Sequence, residues 1–188
     1  MDVYGNCPVL QNEFFCLRPV IAGDAGALLK VYSDPLAVPF FNSDNCHGDD
    51  FHYQTLERME KAIRFWDFSY RNRYFVRWAI VDRSNGDVVG TVEIFRREAE
   101  DAFTDTALLR LDLRSDYEKE EFMQNIMHII IEYAYSLFNC KTITTKAVPA
   151  AVTRRTVLEH LGFRESQNTL KGQDGMLYNS YFVRRKNV

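Results

Sequence analysis

Two runs, YFVRWAIVD (Tyr74–Asp82) and DVVGTVEIF (Asp87–Phe95), are rich in β-branched and aromatic residues and are separated only by RSNG. Such residues suit a pleated surface, and a short polar linker ending in glycine closes a hairpin between them. A third run, TALLRLDL (Thr106–Leu113), follows the acidic connection REAEDAFTD, so the middle of the chain must be antiparallel sheet.

Everything else has to be arranged around that sheet. FFCLRPV (Phe14–Val20) reads as a first strand stopped at Pro19. Asp24 is placed to cap a helix with Ala25, Leu28, Leu29 and Tyr32 on one face. Asp49 or Asp50 is expected to cap a second helix carrying Leu56, Met59, Ile63 and Trp66. After the third strand comes a long helix from about Asp116 to Phe138, then the strand KTITTKAV. A shorter helix, AVTRRTVLEHLGF, ends at Gly162, and the strand MLYNSYFVRR closes the chain. The order β, α, α, three β, α, β, α, β predicts a mixed α/β fold: a central mixed sheet flanked by helices, in one domain over residues 1–188.

Composition narrows the function classes. Apolar residues make up 46 % and charged residues 26 %, which excludes global disorder. The net charge of −3 gives no general attraction to nucleic acid or an anionic membrane, and neither is expected as a partner. Cys7, Cys16, Cys46 and Cys140 are scattered and are expected as reduced thiols. MDVYGNCPVL has no secretory pattern and no apolar segment is long enough for a span, so a cytoplasmic location is expected. HGDDFH holds His47, Asp49, Asp50 and His52, but lacks a helical His pair or a Cys partner, so helix capping is expected there and no metal. The aromatic and arginine-rich RFWDFSYRNRYFVRW is expected to bury Phe65, Trp66, Phe75 and Trp78.

LRPVIAGDAGALL, WAIVDRSNGDVVGTVEIF, VLEHLGF and the Tyr/Phe-rich final strand occur in that order. With them the chain resembles the GNAT superfamily of acyl-CoA-dependent N-acyltransferases, most of all its ribosomal-protein N-acetyltransferase branch. The resemblance implies acetyl-CoA as cofactor and transfer of an acetyl group to a primary amine, either a small molecule or a protein N-terminus. It implies that the pantetheine arm lies where TALLRLDL and KTITTKAV part, near Leu111, Leu113 and Arg114. It also implies that the pyrophosphate rests on the turn and first helical residues that follow.

The family motif for that turn is Gln or Arg, two residues, Gly, one residue, then Gly or Ala. It falls on Glu118, Lys119, Glu120, Glu121, Phe122 and Met123, so none of the three defining positions matches. Glycine lets backbone approach phosphate, whereas glutamate adds bulk and a like charge. Two such charges at about 4 Å repel by roughly 4 kcal/mol at an effective dielectric of about 20. The same residues read well as a helix start: Ser115 and Glu118 form a capping-box pattern, and acidic first-turn residues suit the helix dipole. The carboxylates also suggest a cleft for a cationic ligand such as a polyamine or basic peptide.

Further along, the family's Asn, Ser and Tyr positions are held by Ala151, Arg154 and Leu158, and leucine has no proton to give to a departing thiolate. Glu93 is the candidate general base, its alternative being a solvent-facing strand residue. Tyr178 and Tyr181 offer hydroxyls but are expected as packing residues. A non-catalytic GNAT-fold protein, acting as a ligand-binding or interaction module, is the alternative function. An exposed sheet edge leaves a homodimer open.

Overall fold

In the computed structural model, which describes residues 2–186, the central hairpin forms as its residues dictate. Strand β1 is Leu10–Gln11, β2 is Phe15–Pro19, β3 is Val76–Asp82 and β4 is Val88–Arg97. At the β3–β4 turn the Asp82 side chain accepts from Ser84 N–H at 2.8 Å, and Gly86 takes φ +80°, a left-handed value that glycine accepts without strain. Strand β5 is Thr106–Leu113 and β6 is Thr142–Lys146. The short strands β7 (Arg164–Glu165), β8 (Leu170–Lys171) and β9 (Leu177–Tyr178) precede β10 (Tyr181–Arg185). The main sheet has the order β1-β2-β3-β4-β5-β6-β10-β7, and β8 pairs with β9 apart from it. Among the described residues β5–β6 is the one parallel pair.

Helices α3 (Glu120–Leu137) and α4 (Val152–His160) cover one face of the sheet. Trp78, Ile80, Val92, Ile94 and Leu109 of the sheet share one core with Ile126 and Ile130 of α3 and Val157 of α4. Helices α1 (Ala25–Tyr32) and α2 (Leu56–Arg71) cover the other face through Leu28, Tyr32, Met59, Ile63 and Trp66. The end of α4 is a Schellman cap: Phe163 N–H donates to Leu158 O at 2.9 Å, Gly162 N–H to Glu159 O at 3.0 Å, and Gly162 has φ +83°.

Several local expectations give way. Helix α2 is capped by Thr55, whose hydroxyl accepts from Arg58 N–H at 3.2 Å. Asp49 instead accepts from Phe51 N–H and pairs with Arg58 at 2.5 Å. Asp24 ends the 3-10 turn Ala22–Asp24 and stands at the N-cap position of α1, but its side chain makes no cap bond there and binds Arg18 and Ile21 N–H instead. Ser115 and Glu118 form no capping box, because a 3-10 turn, Ser115–Tyr117, intervenes and α3 starts only at Glu120. Phe65 lies on the outward face of α2 and is exposed, while Trp66 and Trp78 are buried.

Candidate functional site

The parallel ladder of β5 and β6 runs from Thr106–Thr142 to Leu109–Thr145 and then stops. Strand β5 continues to Leu113, still paired with β4 through Leu113–Gly90, so Arg110–Leu113 have lost their partner on the β6 side. The strands diverge there beside a narrow slot with only about 20 Å³ of enclosed space, floored by Leu111, Met123, Met127, Val157 and Leu158. Buried backbone polar groups on such an edge need partners from outside the sheet.

Arg154 supplies one. From α4 its Nη1 donates to Leu111 O at 2.7 Å and to Phe40 O at 3.2 Å. Its Nε lies 3.1 and 3.0 Å from the two carboxylate oxygens of Glu118, and Nη2 also donates to Glu118. Both side chains are buried, 7 % exposed for Arg154 and 10 % for Glu118. A buried arginine and carboxylate must be paired and bonded in this way, since either alone would be costly to desolvate. The pair fixes the strand edge, the loop after α1 and the start of α3 to one another.

The other acidic residues of the turn are accounted for separately. Asp116 pairs with Arg114 at 2.7 Å, Glu120 accepts from Gln124 at 3.1 Å and lies 3.1 Å from His160 Nδ1, and Glu121 is exposed. Lys119 is the exposed N-cap of α3 and makes no side-chain cap bond. Phe122 packs on Phe15 and Tyr117, Met123 lines the slot, Leu113 is core, and Ala151 is the buried residue before α4. Glu118 is taken by Arg154 and Asp116 by Arg114, which leaves Glu120 and Glu121 as exposed carboxylates of the turn.

On the opposite face of the sheet Glu93 is 1 % exposed, which rules out the solvent-facing reading. Its Oε2 meets Arg77 Nη2 at 2.5 Å and its Oε1 meets Arg110 Nη1 at 2.5 Å. Burial pushes the Glu93 pKa up, but the two guanidinium groups outweigh it and the net shift is downward. The raised pKa expected of a base is not found, because alternation along β4 puts Glu93 on the face that also receives Arg77 and Arg110. The network continues through Tyr32 and Asp112, whose Oδ2 lies 2.7 Å from Tyr32 Oη and 3.1 Å from Arg77. Burial raises the Asp112 pKa. Trp66 stacks over Arg77 at 4.2 Å.

A third cluster stands where the strands part. Lys146, the last residue of β6, places Nζ 2.6 Å from both carboxylate oxygens of Asp44, and Tyr181 Oη donates to Asp44 at 3.0 Å. Lys146 lines the slot, while Asp44 and Tyr181 line a wider cleft on the other face, about 1020 Å³ including space open to solvent. The Asp44–Lys146 pair thus separates the two. Tyr178 donates to Asp174, and its ring lies 5.8 Å from Lys146 Nζ at the edge of the cluster. Nothing local in the sequence marks Asp44, which lies in a loop 102 residues from Lys146.

The arrangement fits an acyl-CoA only in part. The unpaired edge of β5 suits an amide-bearing arm, whereas Arg154 sits on its Leu111 carbonyl and Glu118 on the path to α3.

Similarity to known proteins agrees with the frame. In fold the chain is similar to a protein of Vibrio cholerae provisionally described as a ribosomal-protein-serine acetyltransferase, with a TM-score of 0.72, 12 % identity and coverage of 96 % of this chain and 98 % of that one. It is also similar to the ribosomal-protein-S5-alanine acetyltransferase of Vibrio fischeri, with a TM-score of 0.66, 16 % identity and 94 % of each chain covered. A third similar structure is RimL, a ribosomal L7/L12 alpha-N-protein acetyltransferase in complex with coenzyme A, with a TM-score of 0.68, 12 % identity and coverage of 95 % and 98 %. At these identities the likeness shows the fold. Curated protein sequences gave no match. The family model for the acetyltransferase (GNAT) domain matches residues 15–164, most of the sheet and all four helices, and the chain belongs to that family.

Proposed function

We propose that this chain is an N-acetyltransferase that takes its acetyl group from acetyl-CoA and passes it to a primary amine, on a small molecule or a protein N-terminus. The observation that carries this reading is the divergence of β5 and β6 beyond Leu109 and Thr145, which leaves an unpaired strand edge leading to the start of α3. The ribosomal-protein acetyltransferases among the similar folds favour a protein N-terminus as acceptor.

An amine acceptor must lose a proton, so a proton acceptor near the strand junction is needed. Glu93 is held by two arginines and serves as their counter-ion. Asp44, at the boundary between slot and cleft, is the better placed group for the proton in this reading.

A second reading, a ligand-binding or interaction module without transfer, is favoured by one observation: Arg154, held by Glu118, lines the slot and binds the Leu111 carbonyl. Two measurements separate the readings. Calorimetric titration with acetyl-CoA at low and moderate salt is expected to show binding, and thiol release from acetyl-CoA is expected to depend on added amine or N-terminal peptide. No thiol release with any amine, at millimolar acetyl-CoA, sinks the transferase reading.

A further inference from the structure

From the geometry at the strand divergence we infer that Arg154 is an internal occupant of the acyl-donor slot, held there by Glu118, and that these two residues set how well the chain takes an acyl-CoA. The inference deepens the transferase reading and rests on it, in that the slot is the one assigned to the acyl donor.

Three features converge on Arg154. The first is the strand edge. Leu111 lies two residues beyond the last β5–β6 pair, and its carbonyl accepts from Arg154 Nη1 at 2.7 Å. An acceptor on a strand edge is what the amide groups of an extended ligand would use, and here a guanidinium uses it. The second is space. With Arg154 in place the slot keeps only about 20 Å³ of enclosed space, far below the roughly 300 Å³ or more of a site that encloses a ligand. The third is charge. Glu118 stands at the entrance to α3, where a diphosphate would otherwise meet backbone N–H groups, and it is bound to the same guanidinium through Nε and Nη2.

The two parts of an acyl-CoA then compete with two different contacts. The arm competes with Arg154 for Leu111 O and for room beside Met123 and Leu158. The diphosphate competes with Glu118 for the entrance, by like-charge repulsion. Removing Glu118 alone relieves the second conflict and leaves the first. Truncating Arg154 alone opens the slot but strands a buried carboxylate, so the informative variant changes both residues.

The test compares wild type, E118Q and R154S/E118Q by calorimetric titration with acetyl-CoA and with S-acetylpantetheine, which has the arm and thioester but no phosphate. For the neutral probe, the double variant is expected to bind about tenfold tighter than wild type or better, with E118Q close to wild type. Equal or weaker binding of S-acetylpantetheine by the double variant overturns the inference. The same holds if no protein binds either probe. Weaker acetyl-CoA binding by the double variant also overturns it, since Arg154 would then be a phosphate ligand.

A measurement on wild type covers the case of a double variant that does not fold. The Arg154 Nε–H signal, protected by Glu118 in the free protein, is expected to shift and lose protection on saturation with acetyl-CoA. An unchanged signal in the saturated protein overturns the inference. The transferase reading is judged separately by thiol release: turnover with no gain from R154S/E118Q leaves that reading standing while this inference falls.

Discussion

The carboxylate of Glu93 and the guanidinium of Arg77 meet at 2.5 Å on a fully buried face of the sheet, and Arg110 closes the other side of the same carboxylate. Arg77 in turn reaches Asp112, so two arginines and two carboxylates balance beneath Tyr32 and Trp66. Such a group is stable only when complete, since removing one member leaves an opposite charge buried without its partner. Glu93→Gln is therefore expected to lower stability by about 3–5 kcal/mol, measured as a shift of the urea unfolding midpoint. A change too small to resolve would mean that Asp112 alone can neutralise both arginines.

The same carboxylate sets a pH dependence. The folded Glu93 pKa lies below its ordinary value of 4.5. Its contribution is present above that value and is lost as the pH falls through the folded pKa. Asp112 acts with the opposite sign: its raised folded pKa makes its contribution more favourable as the pH falls. Glu93→Gln should therefore flatten the acid limb of the stability curve below about pH 4.5. Parallel acid limbs for the two proteins, followed by urea midpoints from neutral pH downward, would count against this assignment.

Two glutamates three residues apart in the same turn should behave differently. Glu118 is buried against Arg154, and Glu118→Gln is expected to cost about 3 kcal/mol. Glu121 is exposed, so Glu121→Gln should stay within about 0.5 kcal/mol of wild type. Thermal unfolding of both variants checks the contrast. Equal effects would show that the Arg154–Glu118 pair contributes nothing to the fold.

Gly90 is fixed by its neighbours and not by its backbone angles. A Cβ there would lie 2.2 Å from the carbonyl oxygen of Asp112 and 3.1 Å from Leu113 Cα, both parts of the adjacent strand. Gly90→Ala must push β4 away from β5 and is expected to cost about 1–3 kcal/mol or more. A melting temperature equal to that of wild type would show that the strands can part there without loss.

Thiol chemistry should be slow in the native state. Burial raises the Cys7 thiol to about 12 and the Cys46 thiol to about 11, the latter against an opposing pull from Arg110. At pH near 8 both are expected to react with an aromatic disulfide reagent much more slowly than in denaturant, because the thiolate is the nucleophile. Native rates equal to the denatured rates would show that these sites open readily.

The sheet was legible because its signals are local. RSNG fits its turn, alternation along DVVGTVEIF separates two faces, and the GF of LEHLGF makes the helix stop. The site was less legible because its partners are remote in sequence. Arg154 reaches Glu118 across 36 residues and Leu111 across 43. Spacing around Glu118 suggested a capping box, and nothing near it announced an arginine on another helix. For Glu93 a base and a surface residue both fit the sequence, because alternation gives the face of a strand and not what covers that face. Thr55 displaced Asp49 and Asp50 as a helix cap for a similar reason: Arg58 and Tyr53 claim the Asp49 carboxylate first.

A slot filled by a side chain of its own chain differs in one respect from a slot held by a soluble inhibitor. Arg154 is tethered to α4, so its effective concentration at Leu111 is a property of the fold and survives any dilution. The apparent affinity of any visitor is its intrinsic affinity scaled by the fraction of molecules with the arginine withdrawn. Purification, dialysis or a change of buffer leaves that fraction in place unless it unsettles the pair itself.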